Sequence, residues 1–235
     1  QGFLTDKKIE NFQNNVDTLF IQNNMSCNAK CIYCVFAGVE RGHKYEVVPI
    51  IKSLIEKKIL DKNAKLNLSG GEITITPDFE ELTEILIKNL NSQIFISTSG
   101  IKYSPAIENA FKMNKCWQTI SIDAGTRETY KKIKQADCFD KLVNNLKKYV
   151  EASENAKYCN ILKYILIYNI NDNKEEINSF FNVVQNIGIK NVRIDVNYEV
   201  YSCNNNKKVP DNQIELIKYF NETAQNLGLT AHKNE

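Results

Sequence analysis

Segments of strand character alternate with segments of helical period along most of this chain, and that rhythm restricts the fold more than any other feature. The strand segments are DTLFIQN (17–23), KLNLS (65–69), QIFISTS (93–99), WQTISID (117–123), ILKYILIYN (161–169) and KNVRIDVNY (190–198). Helical period runs near 46–59, 78–90, 104–115, 126–151 and 173–187, with a last helix over about 211–227. Phe139, Leu142, Val143, Leu146 and Val150 recur at helical spacing, which predicts one buried face there. Strands separated by helices pair in parallel, because a parallel pair needs a crossover connection. Six βα units fall two short of a closed eight-fold barrel. The expected fold is therefore α/β, a partial (β/α)6 TIM-type barrel with parallel strands; a doubly wound open sheet is the competing layout. No linker rich in Pro, Gly or Ser divides the 235 residues, so a single domain is expected over 1–235, with its core at about 17–200.

Strands buried on both faces read as continuous apolar runs. Several here alternate instead. Asn67 and Ser69 share a face, as do Thr119, Ser121 and Asp123, and as do Arg193, Asp195 and Asn197. Three polar faces point to a polar lumen that holds a ligand, or to faces turned to solvent and loops.

Composition narrows the function classes. Thirty basic and 28 acidic side chains give a net charge of +2 without a long basic run, which does not indicate a nucleic-acid reader. No apolar run reaches the length of a membrane span, and the first residues lack the plan of a signal peptide. The chain starts at Gln1 rather than Met, as a trimmed piece of a longer protein would. Two histidines, His43 and His232, leave little room for a Ser-His-Asp site.

Seven cysteines do not pair evenly, and a disulfide framework belongs to shorter, secreted chains. A reducing, cytoplasmic compartment is expected. Three of the seven fall within MSCNAKCIYCVF as Cys27-x3-Cys31-x2-Cys34, in the loop that follows the first strand. Thiolates at this spacing suit zinc or an iron–sulfur cluster. Recruiting His43 would complete a Cys3His zinc site, the arrangement of a non-enzymatic module. The alternative is a four-iron cluster, which with three protein thiolates keeps one iron open.

That cysteine run, with Tyr33 just before its last member, resembles the signature of the radical S-adenosylmethionine superfamily. The resemblance extends from about residue 17 to 200 and implies a partial (β/α)6 barrel. It also implies a [4Fe-4S] cluster on Cys27, Cys31 and Cys34, with S-adenosylmethionine on the open iron. An electron donor such as flavodoxin or ferredoxin would reduce the cluster. Cleavage would then give methionine and a 5′-deoxyadenosyl radical, which abstracts hydrogen from an unidentified small molecule, sugar or peptide. An activase that installs a glycyl radical on a partner protein is a close variant.

Further segments carry the likeness. LSGGE (68–72) is similar to the family's Gly-Gly-Glu segment at the cofactor's amino group, which assigns Ser69, Gly70, Gly71 and Glu72 to the cofactor. ISTSG (96–100) resembles its Thr-Asn-Gly segment, with Ser99 in place of asparagine, and the likeness assigns Ser97 to the cofactor. SIDAGTRETY (121–130) is similar to the fourth-strand end of members that modify metabolites and peptides, with Ser121 and Asp123 toward the ribose and Thr126 as a helix cap. KYILIYNINDNKEEI (163–177) resembles the fifth-strand end, with Lys163 and Asn171 near the cofactor, while Asp172 and Glu175 form a capping-box-like helix start. Arg193 and Asp195 would reach the adenosyl end or the substrate, or pair with each other. Tyr33 would pack by the adenine. Cys203, past the sixth strand, is a candidate hydrogen donor to the substrate radical or an inert thiol. Cys116, Cys138 and Cys159 are expected to pack as small hydrophobes.

Overall fold

The structure, a computed structural model, describes residues 15–22, 25–37, 46–197 and 209–232. Its strands are β1 (Val16–Ile21), β2 (Leu60–Leu68), β3 (Ile94–Thr98), β4 (Cys116–Ser121), β5 (Asn160–Leu166), β6 (Asn191–Val196) and β7 (Thr230–His232). The helices are α1 (Val47–Glu56), α2 (Phe79–Asn89), α3 (Pro105–Lys112), α4 (Arg127–Lys134), α5 (Phe139–Ala152), α6 (Asn155–Cys159), α7 (Lys174–Ile187) and α8 (Asp211–Asn226). The strands form one sheet in sequence order, and every neighbouring pair is parallel. β1 and β7 are its edges, so the barrel stays open.

The fold is the α/β partial barrel expected, with one strand more. β7 is too short to show a period, and pairing creates it: the Thr230 N–H donates to the Lys190 carbonyl at 2.8 Å, and β7 joins β6. A second difference concerns the single helix expected over 126–151. It breaks into α4 and α5 because Gln135 takes the left-handed conformation at φ 51° and ends α4. Thr126 caps α4 as expected, accepting from the Thr129 N–H. The cap of α7 is one residue later than expected, since Asn173, not Asp172, accepts from the N–H of Glu176 at 2.9 Å.

Alternate strand residues divide the molecule. Leu66, Leu68, Ile94, Ile96, Ile120, Leu162, Tyr164 and Val192 are almost fully buried on the helix side, in one core with Leu82, Phe111, Leu142, Phe180 and Phe220. Phe139, Leu142 and Leu146 are buried, with Val143 and Val150 packed beside them, as the spacing of α5 required. Cys116 and Cys159 are buried and Cys138 half-buried, as small core residues. No described helix is long and apolar enough to cross a membrane.

Candidate active site

The loop after β1 carries Cys27, Cys31 and Cys34, and four anchors fix its course over the C-terminal ends of the strands. The Glu72 N–H donates to the Ser26 carbonyl at 2.8 Å. At Gly71 the loop backbone comes so close that a Cβ would collide with the Ser26 carbonyl and with Met25, so only glycine fits. The Ser99 hydroxyl donates to Asn28 Oδ1 at 2.9 Å. Farther along, the N–H groups of Lys30 and Ile32 donate to the carbonyls of Lys134 and Ile133, both at 2.9 Å. Those carbonyls are among the last of α4, which lack partners within the helix. The fourth anchor is the Tyr33 hydroxyl, which donates to Asp123 Oδ2 at 2.6 Å.

Asp123 is completely buried. Its Oδ2 also pairs with the buried Lys134 ammonium, and its Oδ1 accepts the Ile165 N–H at 2.8 Å. Lys134 in turn donates to the Tyr33 oxygen at 2.8 Å. Burial, and then the Asp123 charge, push the Tyr33 phenol far above its ordinary range, so it stays a neutral donor. Burial also raises the Cys27 and Cys31 thiols, with Lys134 opposing the rise at Cys31.

Glu72 is fully buried at the end of β2. It accepts from the Thr74 and Thr98 hydroxyls, both at 2.6 Å, and from the Ser99 N–H at 2.5 Å. The β2 and β3 segments singled out by sequence are thus tied together by one carboxylate.

A cavity of about 390 Å³ opens on the concave face between the loop and the strands. All three loop cysteines and Tyr33 line it, together with Gly70, Gly71 and Glu72 from the end of β2. Ser97, Ser121, Lys163 and Arg193 form its strand wall. Asp195 lines a neighbouring cavity of about 330 Å³, which Tyr33, Cys34 and Lys163 share. Burial lowers the Lys163 ammonium, opposed by the Asp123 and Asp195 carboxylates.

Three expected cofactor contacts sit off these walls. Ser69 accepts from the Gln22 amide at 3.0 Å. Asp123 is spent on the network described. Asn171 is fully buried, donating to the carbonyls of Asp123 and Ile165, both at 2.8 Å, and accepting the Ile167 N–H. Cys203 and His43 lie outside the described residues. Sequence reasoning passed over Lys134, although it follows Tyr130 by one helical turn and so falls on the buried face of α4. Thr119 is on the wall, as its place on the polar face of β4 implied, and Trp117 beside it was read only as a strand residue.

A family model described as the Radical SAM superfamily matches residues 25–182. The chain belongs to the radical SAM superfamily. Among curated relatives, this radical SAM chain is 26% identical over 195 residues to a probable GTP 3′,8-cyclase of Saccharolobus islandicus. The match covers 79% of the chain and 58% of that relative. Streptococcus suis SuiB bound to S-adenosylmethionine superposes with a TM-score of 0.69 at 18% identity, over 97% of this chain and 52% of that one. Native anSMEcpe with bound AdoMet gives 0.57 at 18% identity, over 76% and 51%. At such identity both likenesses concern the fold.

The donor chemistry of the radical SAM loop fits a thiolate-held cluster. Cys27, Cys31 and Cys34 line one cavity, although among the described residues no three Cys, His, Asp or Glu side chains stand together as a set that could hold a metal ion.

Proposed function

We propose that this chain is a radical SAM enzyme, a single domain over its 235 residues, acting on a small-molecule, sugar or peptide substrate. The observation that carries the reading is the meeting of Cys27, Cys31 and Cys34 with the Gly70–Glu72 turn on one cavity, in a chain of this superfamily. Cys27, Cys31 and Cys34 are the residues to hold a [4Fe-4S] cluster. When bound, that cluster would supply the electron for reductive cleavage of S-adenosylmethionine, and with it the radical chemistry that removes hydrogen from the substrate.

The chain's own residues position the reactants and exclude water. Gly70 and Gly71 leave backbone open to close approach by the methionyl end. Glu72 sets negative charge beside them for an ammonium. Ser97 and Ser121 offer hydroxyls to the ribose. Tyr33 supplies an aromatic edge whose phenol is locked by Asp123 and Lys134. A flavodoxin- or ferredoxin-like donor delivers the electron. A small-molecule substrate is favoured by the probable GTP 3′,8-cyclase among the relatives.

The test is anaerobic reconstitution followed by iron and sulfide analysis, and by a 5′-deoxyadenosine assay with dithionite and S-adenosylmethionine. About four irons per chain and 5′-deoxyadenosine formation are expected, both lost in Cys31→Ala. Stoichiometric zinc with no cleavage would instead establish the Cys3His module.

A further inference from the structure

A row of polar side chains crosses four strands; Ser121, Lys163 and Arg193 line the cavity, and His232, whose Nε2 lies 3.1 Å from Asn191 Oδ1, extends the row beyond it. Ser121 of β4 stands opposite Lys163 of β5, Lys163 opposite Arg193 of β6, and Arg193 opposite His232 of β7. Residues in register on neighbouring parallel strands share a face, so the four stand side by side on the concave surface. Lys163 and Arg193 line the same cavity as the three cysteines.

The charges in this row do not balance. Asp195, one pleat above Arg193, accepts from it at 3.0 Å and lies 3.9 Å from Lys163. Asp123, which pairs with Lys134, is the other carboxylate that acts on Lys163. Three cations, Lys134, Lys163 and Arg193, therefore share two carboxylates on this side of the cavity. Glu72 belongs to the opposite wall, at the end of β2. Arg193 also keeps its Nε buried with no hydrogen-bond partner among the described residues. Half-buried cations in excess are costly unless an anion meets them.

We propose that Lys163, Arg193 and His232 bind an anionic group of the substrate, a phosphate or a carboxylate, on the β5–β7 wall. The proposal rests on the radical reading only in calling this ligand the substrate, since anion binding needs no cluster. A guanidinium matches two oxygens of either group, and a lysine adds a point charge. Asp195 holds the two cations in place and competes with the incoming anion.

Calorimetric titration of the reconstituted protein tests this at low ionic strength. Pyrophosphate and succinate are the two probes, and S-adenosylmethionine is titrated into the same preparation. Saturable binding of at least one anion is expected, and the stronger one names the group. Arg193→Gln weakens it at least tenfold, with smaller losses in Lys163→Met and His232→Asn. Asp195→Asn tightens it, a gain that a misfolded lumen cannot produce. If S-adenosylmethionine binds and neither anion does, or if Arg193→Gln binds as wild type does, the anion site is wrong. Anion binding without S-adenosylmethionine binding leaves the site standing and overturns the radical reading.

Discussion

Tyr33 and Asp123, ninety positions apart in the chain, meet at 2.6 Å and tie the cysteine loop to the end of β4. The carboxylate in that contact is completely buried, and Lys134 is its charge partner. The loop that carries the thiols is therefore held by an ion pair inside the protein, beneath the cavity that the cysteines line.

Removing Lys134 strands that carboxylate. Breaking one side of a buried ion pair costs ~3–5 kcal/mol. Lys134→Met should lose about that much stability by urea denaturation. The double variant Lys134→Met/Asp123→Asn should recover part of it, because no uncompensated charge remains. A Lys134→Met protein as stable as wild type would contradict the pairing.

Gly71 admits no side chain, because the Ser26 carbonyl occupies the place of its Cβ. Forcing extra atoms into a packed site costs ~1–3 kcal/mol. Gly71→Ala should lose stability in that range and also take up less iron on reconstitution, since the loop must move away from β2. Iron uptake equal to wild type would show that the loop tolerates the shift.

Glu176 is a buried residue of α7 that accepts the N–H groups of Gly125 at 2.8 Å and Thr126 at 3.0 Å. An unsatisfied buried donor costs ~1–3 kcal/mol. Glu176→Ala should lower the denaturation midpoint accordingly while leaving iron content intact, because its partners lie at the start of α4 and the thiol loop rests on the end.

His232 links stability to pH. Burial, and then the Arg193 charge, lower its pKa from the ordinary value. In the unfolded chain the ring takes its proton near ~6.5, and in the folded chain only at a lower pH. As pH falls through that window the unfolded state binds the proton first, so stability drops until the folded pKa is passed. Between pH 7.5 and 5.5, wild type should lose more stability than His232→Asn in parallel denaturation curves. Equal losses would remove His232 from the account.

The strand–helix rhythm, the buried stripe of α5 and the thiol loop after the first strand were all legible in the residues. Each depends on a short-range pattern, and a period of two or near 3.6 reports which face of an element is buried. Ser121 and Arg193 could be set on a polar face for the same reason, whereas Lys163 came only from the likeness of its segment to the family.

What a residue does on its face was decided only in three dimensions. Asp123 reads as a lumen residue, yet contact with Lys134 and Tyr33 turns it into a buried anchor. Asn171 reads as a ligand and is consumed by three backbone groups. His232 acquires a neighbour in Arg193 only because β7 exists, and β7 exists only because β6 offers an edge. Periodicity records how each element faces its surroundings; register and the partners of buried charges come from contacts between elements distant in the chain, which no local pattern encodes.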